Sequence, residues 1–385
     1  MSRRVATLCV AAAALTALVG SVPITGSAAP VSDVRDQVER ILAQRARAVR
    51  AADADSWRAT MNEPEDADVA QFESLQRLSL DTWSEQLVTL EPASDRSWRA
   101  AVQVRYRLPG ERTDAVVEAV LDLTSNLLVA GSTTTPMPPW EITGVRAAAG
   151  SNSLVVGAGS ADQLRTYAAE VDRAAASVGM LLGQPPPRMV MVVPESWHQA
   201  GHMDPAGAKA GLAAVTTAVD QPGPAAGPVR VLANTAVLAR LPASTRTAVF
   251  GHEAFHVATW GRAAVPRWLS EGLADYAGYH ESGADLGSAV AGALRQVRAD
   301  GAPDALPEDA AFDDPLRATM AYEGAHLAVR MLVAEYGAAD VVAVYRAVSA
   351  DGSAGIDAVL GEILGTDLAS VTRAWRAELT SRAAR

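Results

Sequence analysis

Residues 251–280 read GHEAFHVATWGRAAVPRWLSEGLADYAGYH, and this stretch carries the chemistry of the chain and anchors its architecture. His252 and His256 stand four apart with Glu253 beside the first of them, the pattern HExxH. On a helix, positions i and i+4 lie on one face a turn apart, so two imidazoles converge on a single ion. Pro242 and Ser244 open such a helix, Val249 and Val257 give it an apolar side, and Gly261 closes it. Pro266, a first-turn residue, starts a second helix that carries Glu271 and, one turn later, Asp275. Trp268, Leu269, Leu273 and Tyr276 predict that this helix is largely buried, and buried acids need partners. Glu271 is therefore the candidate third ligand. Asp275 is placed to accept a hydrogen bond from a ligand histidine and fix its ring. Two His and one Glu suit zinc and leave its fourth position open.

Outward from this stretch, the chain reads as α+β. Residues 33–62 show helical spacing in Val34, Val38, Ile41, Leu42 and Val49, and the helical pattern is expected to continue over 66–91. Val102, Val104, Tyr106 and Leu108 then alternate as in a strand; Pro109-Gly110 is a turn. Val116–Leu123 and Leu127–Ala130 are further strand candidates, and Thr133–Pro139 reads as a linker. The expected division is 30–140 for a small α+β domain and 141–385 for the rest. Beyond Trp140, strands are expected at 154–156, 189–193 and 229–232, with a helix over 161–182. The Gly- and Pro-rich residues 201–228 read as surface loop, and the chain from Ser244 onward as almost wholly helical.

The chain has 385 residues, 33 basic and 44 acidic, and a formal net charge of -11. That balance disfavours binding to a phosphate backbone, so no nucleic-acid partner is expected. Lys209 is the only lysine. Arg3 and Arg4, an apolar run from Val5 to Gly20 and small residues up to Ala29 have the order of a secretory signal, residues 1–29, with cleavage after Ala28. An uncleaved anchor is the alternative, against which the run is short of the ~20 residues a span needs. A secreted or cell-envelope location follows. The one cysteine, Cys9, lies inside this segment, so the mature chain has no disulfide and no cysteine-based zinc site.

GHEAFHVAT followed by PRWLSEGLADY resembles the gluzincin metallopeptidases, and most closely the bacterial peptidase MA-like domains. The resemblance is specific over 242–280 and follows element order over 145–350. It implies a mainly helical metallopeptidase domain with a small N-terminal sheet, in which His252, His256 and Glu271 bind zinc and Glu253 is the general base. Phe255 stands where many relatives carry Thr. The resemblance also implies an oxyanion donor on a later helix; residues 315–336 carry Tyr322, the first choice, and His326 one turn on. Tyr279 and His280 are further candidates for the cleft wall. The element order of 30–140 is similar to the NTF2-like cone. This stretch holds no His or Cys and reads as a spacer or partner-binding module.

The expected reaction is hydrolysis of a peptide bond in a peptide or protein substrate. Two other readings stay open. One is a catalytically silent zinc-site protein acting as an envelope binding or assembly module. The other is latency, with residues 30–140 covering the cleft. His198 and His202 also stand four apart, but lack a glutamate between them, and Trp197, Gly201 and Pro205 make their segment read as loop. Asp313-Asp314 reads as a helix cap and not a calcium site.

Overall fold

The structure, a computed structural model, describes residues 31–94, 96–185, 188–209, 211–219, 227–262, 265–351 and 355–385. The expected signal over 1–29 lies outside them.

Three helices open the chain: α1 (Val31–Ala51), α2 (Ala54–Arg58) and α3 (Asp66–Leu78). They are followed by an antiparallel meander of β1 (Thr82–Ser94), β2 (Ser97–Arg107), β3 (Ala115–Thr124) and β4 (Val129–Thr135), each strand beside the next. Two expectations are corrected here. The helix expected to run to 91 ends at Ser79, which adopts the left-handed conformation, φ 50°. Residues 82–94 pair instead with β2, burying Trp83 and Leu87 on one face. The expected linker at 133–139 begins as strand, because Thr133, Thr134 and Thr135 pair with Val120, Ala119 and Glu118. Pairing across the sheet overrides what the Thr-rich composition suggests locally.

A second sheet has the order β5-β6-β7-β9-β8. Its strands are β5 (Arg146–Ala149), β6 (Ser153–Gly157), β7 (Met189–Val193), β8 (Ala214–Ala218) and β9 (Val229–Ala233). The inner strands β6, β7 and β9 are parallel, and the edges β5 and β8 antiparallel. Helix α4 (Ala161–Leu182) crosses from β6 to β7; Ser160 caps its first turn and Gly183, φ 59°, ends it. Between β7 and β8 lies α5 (Trp197–Met203), a short helix where a loop was expected. Residues 201–228 are likewise not all loop, since 214–218 form the edge strand β8.

The remainder is helical, as expected from Ser244 onward: α6 (Thr235–Leu238), α7 (Ala243–Thr259), α8 (Arg267–His280), α9 (Leu286–Ala289), α10 (Ala291–Asp300), a 3-10 turn at Asp309–Phe312, α11 (Ala318–Tyr336, three residues later than position 315), α12 (Ala338–Asp351), α13 (Ile356–Leu364) and α14 (Leu368–Ala383).

The five-stranded sheet separates two cores. All five residues of β7 are buried, and they alternate. Met189, Met191 and Val193 pack with α4, α7 and α8; Val190 and Val192 pack with the meander and α1. Each such side chain contributes roughly 1.5–3 kcal/mol of burial. The N-terminal part is thus packed on one face of this sheet, and the helices carrying HExxH on the other. A buried ion pair joins the halves. Arg230 on β9 donates to both carboxylate oxygens of Glu111, at 2.6 and 3.1 Å, and to the Tyr106 hydroxyl at 2.7 Å.

Candidate active site

Helices α7 and α8 cross at glycines. A Cβ on Gly278 would stand 2.2 Å from the Ala248 carbonyl oxygen, and one on Gly251 2.6 Å from the Gly278 Cα. On its other side α8 meets α11 at Gly272, where a Cβ would lie 2.5 Å from the Ala325 carbonyl oxygen. The missing side chains let the backbones approach and bring two short acids within reach of two histidines.

The result is a triangle of donor atoms. His252 Nε2 and His256 Nε2 are 3.1 Å apart, and Glu271 Oε2 is 3.4 Å from the first and 3.3 Å from the second. Ligands held ~2.0–2.1 Å from a tetrahedral ion stand about 3.3–3.4 Å from one another. The donor set and its spacing therefore fit a metal ion. These three residues form the one such cluster among the described residues. Their side chains are 18%, 22% and 12% exposed, so the site is recessed but reachable.

Asp275 sits behind His252, where the sequence places it. Nδ1 of His252 donates to Asp275 Oδ1 at 2.8 Å, since an ionised carboxylate only accepts. That bond leaves Nε2 as the donor atom facing the triangle. Burial works against charge on His252, but Asp275, Glu271 and Glu253 outweigh it and hold its pKa well above the ordinary value. Burial likewise opposes ionisation of Glu271, and hydrogen bonds with both imidazoles more than offset it, leaving the carboxyl well below the usual range. Such a cluster favours a positive charge at its centre.

A cleft of about 1030 Å³ opens over the triangle. Glu253 lines it and is buried, with Oε2 accepting from the Thr216 hydroxyl of β8 at 2.6 Å. Tyr322 lines it from α11 and stands edge-on to Phe312, ring centroids 5.0 Å apart. Burial, with Glu271 nearby, pushes its phenol up to about 12, so it stays protonated and able to donate. Lys209 lines the rim and pairs with Asp313 at 2.9 Å.

Other candidates fall elsewhere. His326 is 1% exposed and lies behind Asp275, its Nδ1 3.9 Å from Oδ2, outside the cleft lining. Tyr279 packs on His326, and His280 is exposed, stacked on Tyr276; neither lines the cleft. His198 and His202 sit exposed on α5 with no acid of a metal cluster beside them. Asp314 accepts from the Leu316 backbone in the turn ahead of α11, whose N-cap is Arg317, so the expected helix cap is not formed. Among the described residues, nothing before Ala206 lines the cleft, so the alternative of latency, with residues 30–140 over the cleft, finds no contact there. That part packs on the far face of the sheet.

Sequence reasoning missed Thr216, Arg267 and the paired glycines. Thr216 had a signal, the short β-branched run Ala214-Val215-Thr216-Thr217-Ala218 inside a Gly-rich stretch. Arg267 and Gly278 are told apart from their neighbours only by what α7 and α11 place against them. Comparison of the chain with known protein families, with curated proteins and with solved structures finds no match.

Proposed function

We propose that this chain is an exported zinc-dependent peptidase of the gluzincin type, with an NTF2-like N-terminal part, hydrolysing peptide bonds in a peptide or protein substrate. The observation that carries the proposal is the triangle of His252 Nε2, His256 Nε2 and Glu271 Oε2, with sides of 3.1, 3.4 and 3.3 Å. His2Glu is a donor set of catalytic zinc, and three protein ligands leave a position for water or substrate.

When bound, zinc supplies Lewis acidity that lowers the pKa of a water and polarises a carbonyl. Glu253 takes a proton from the attacking water and returns it to the leaving nitrogen as the C–N bond breaks. The Thr216 hydroxyl occupies Glu253 Oε2, which leaves Oε1 for that transfer. Tyr322 donates its O–H to the oxygen on which charge develops. Asp275 keeps the proton of His252 on Nδ1. A purely structural zinc site gives no reason for a buried carboxylate at Glu253 facing an open cleft. No helix among the described residues is long and apolar enough to cross a membrane.

The test is cleavage of a mixed peptide library by residues 30–385, beside Glu253→Gln and a chelator-treated sample. Cleavage by the wild type alone is expected. A folded, zinc-loaded wild type that cuts nothing, or a Glu253→Gln variant that cuts at the same rate, overturns the reading.

A further inference from the structure

Arg267 is the first residue of α8, one turn before Glu271. From behind, it is fixed by the segment Asp309–Asp313. Its Nη1 donates to Asp313 Oδ2 at 2.9 Å and to the Asp309 carbonyl at 3.2 Å. Its own N–H donates to Asp309 Oδ1 at 2.9 Å, and its guanidinium carbon stands 4.8 Å from the Phe312 ring centroid. Forward, the guanidinium meets two groups of the cleft. Nε is 3.7 Å from Glu271 Oε1, and Nη2 donates to the Tyr322 hydroxyl oxygen at 3.5 Å.

We propose that Arg267 is a positioning residue that sets Glu271 and Tyr322 at once; this rests on the zinc-peptidase reading above. Two chemical facts carry it. Glu271 offers Oε2 to the imidazoles, and the oxygen facing Arg267 is the other one, Oε1. A cation on Oε1 holds that oxygen away from the centre and makes the carboxylate a one-oxygen ligand. Second, a guanidinium only donates. The Tyr322 oxygen must accept from it, so the phenol's own proton points elsewhere, and the open direction is the cleft. The rear contacts make this a fixed fork rather than a mobile side chain. A simple ion pair with Asp313, whose side chain is 55% exposed, contributes little by itself and accounts for neither forward contact.

The experiment compares zinc affinity of the metal-free protein, by chelator competition, with kcat and KM on one cleaved peptide at saturating zinc. The variants are Arg267→Gln, Arg267→Lys, Tyr322→Phe and the pair Arg267→Gln with Tyr322→Phe. Arg267→Gln is expected to weaken zinc roughly 10- to 100-fold, as loss of a ligand's supporting contact does. It is also expected to lower kcat roughly 10- to 100-fold with KM little changed. Arg267→Lys restores part of the zinc affinity, because a point charge still faces Oε1, but not kcat. The double variant is no slower than Tyr322→Phe alone. Asp313→Asn, which frees the rear of the fork and keeps the arginine, shows smaller losses in the same direction and serves if Arg267→Gln does not fold. A folded Arg267→Gln with wild-type zinc affinity and kcat overturns the proposal, as does full additivity with Tyr322→Phe. A wild type that binds zinc but cleaves nothing sinks the peptidase reading, and the zinc arm still decides the Arg267–Glu271 half.

Discussion

His252 and His256 face each other with ring centroids 4.7 Å apart at 73°; His198 and His202 do so at 5.0 Å and 85°. Both pairs are four residues apart on a helix, and by ring geometry they nearly coincide. The difference lies in what is packed against them. The first pair is on a 17-residue helix pressed against α8, which brings Glu271 and Asp275 to the rings. The second is on a seven-residue helix whose two histidines are exposed and meet no such acid. Spacing makes two imidazoles neighbours; a second helix at close quarters makes them a candidate metal site.

The residue after the first histidine separates the pairs further: Glu253 in one, Gln199 in the other. Glu253→Gln makes the first pair resemble the second at that position. It is expected to lower kcat by about 10²–10⁴ while zinc stays bound, measured by steady-state cleavage and metal content. Retained kcat would mean that the carboxylate is not the base.

His326 belongs to neither pair and is buried with Nε2 unpartnered. Burial lowers its pKa from 6.5 to about 4, so the folded state resists the proton. Its share of stability is complete above pH 6.5 and is lost as pH falls to about 4. That share is about 3 kcal/mol, so denaturant unfolding at both pH values shows a correspondingly smaller acid loss in His326→Leu. An equal loss in the variant contradicts the buried, neutral placement.

The helix crossing is tested at Gly278, where a side chain meets the Ala248 backbone. Gly278→Val is expected to cost roughly 1–3 kcal/mol or more and to weaken zinc with no ligand altered. Unchanged thermal unfolding and zinc affinity would show that close approach is not what assembles the site. Asp275→Asn keeps every ligand and the crossing, and zinc affinity is expected to fall roughly 10- to 100-fold. An affinity equal to the wild type's would detach Asp275 from the site.

Much of this arrangement is legible in the chain itself. HExxH, the Pro-led second helix and the Glu271/Asp275 spacing point to one centre, because helical periodicity is a local property. The helix at 161–182 and the strand at 189–193 are likewise read to the residue, since their capping and apolar runs are local. What escaped depends on partners outside the stretch itself. Thr82–Ser94 follows Leu75, Leu78 and Leu80 and continues a helical look, yet β2 claims it. Ala214–Ala218 lies among glycines and prolines, and only β9 makes it a strand. The glycines at 251, 272 and 278 look alike in the sequence until three helices meet at them.

The most direct measurement is calorimetric titration of zinc into the metal-free chain, the Glu271→Ala variant and the His198→Ala, His202→Ala double variant. One zinc per chain is expected for the wild type and, with unchanged affinity, for the double variant, whose substitutions are exposed and cost at most about 0.5 kcal/mol. Glu271→Ala is expected to lose most of its affinity. Tight binding that survives Glu271→Ala and disappears with His198 and His202 would place the metal at the other pair and contradict the account.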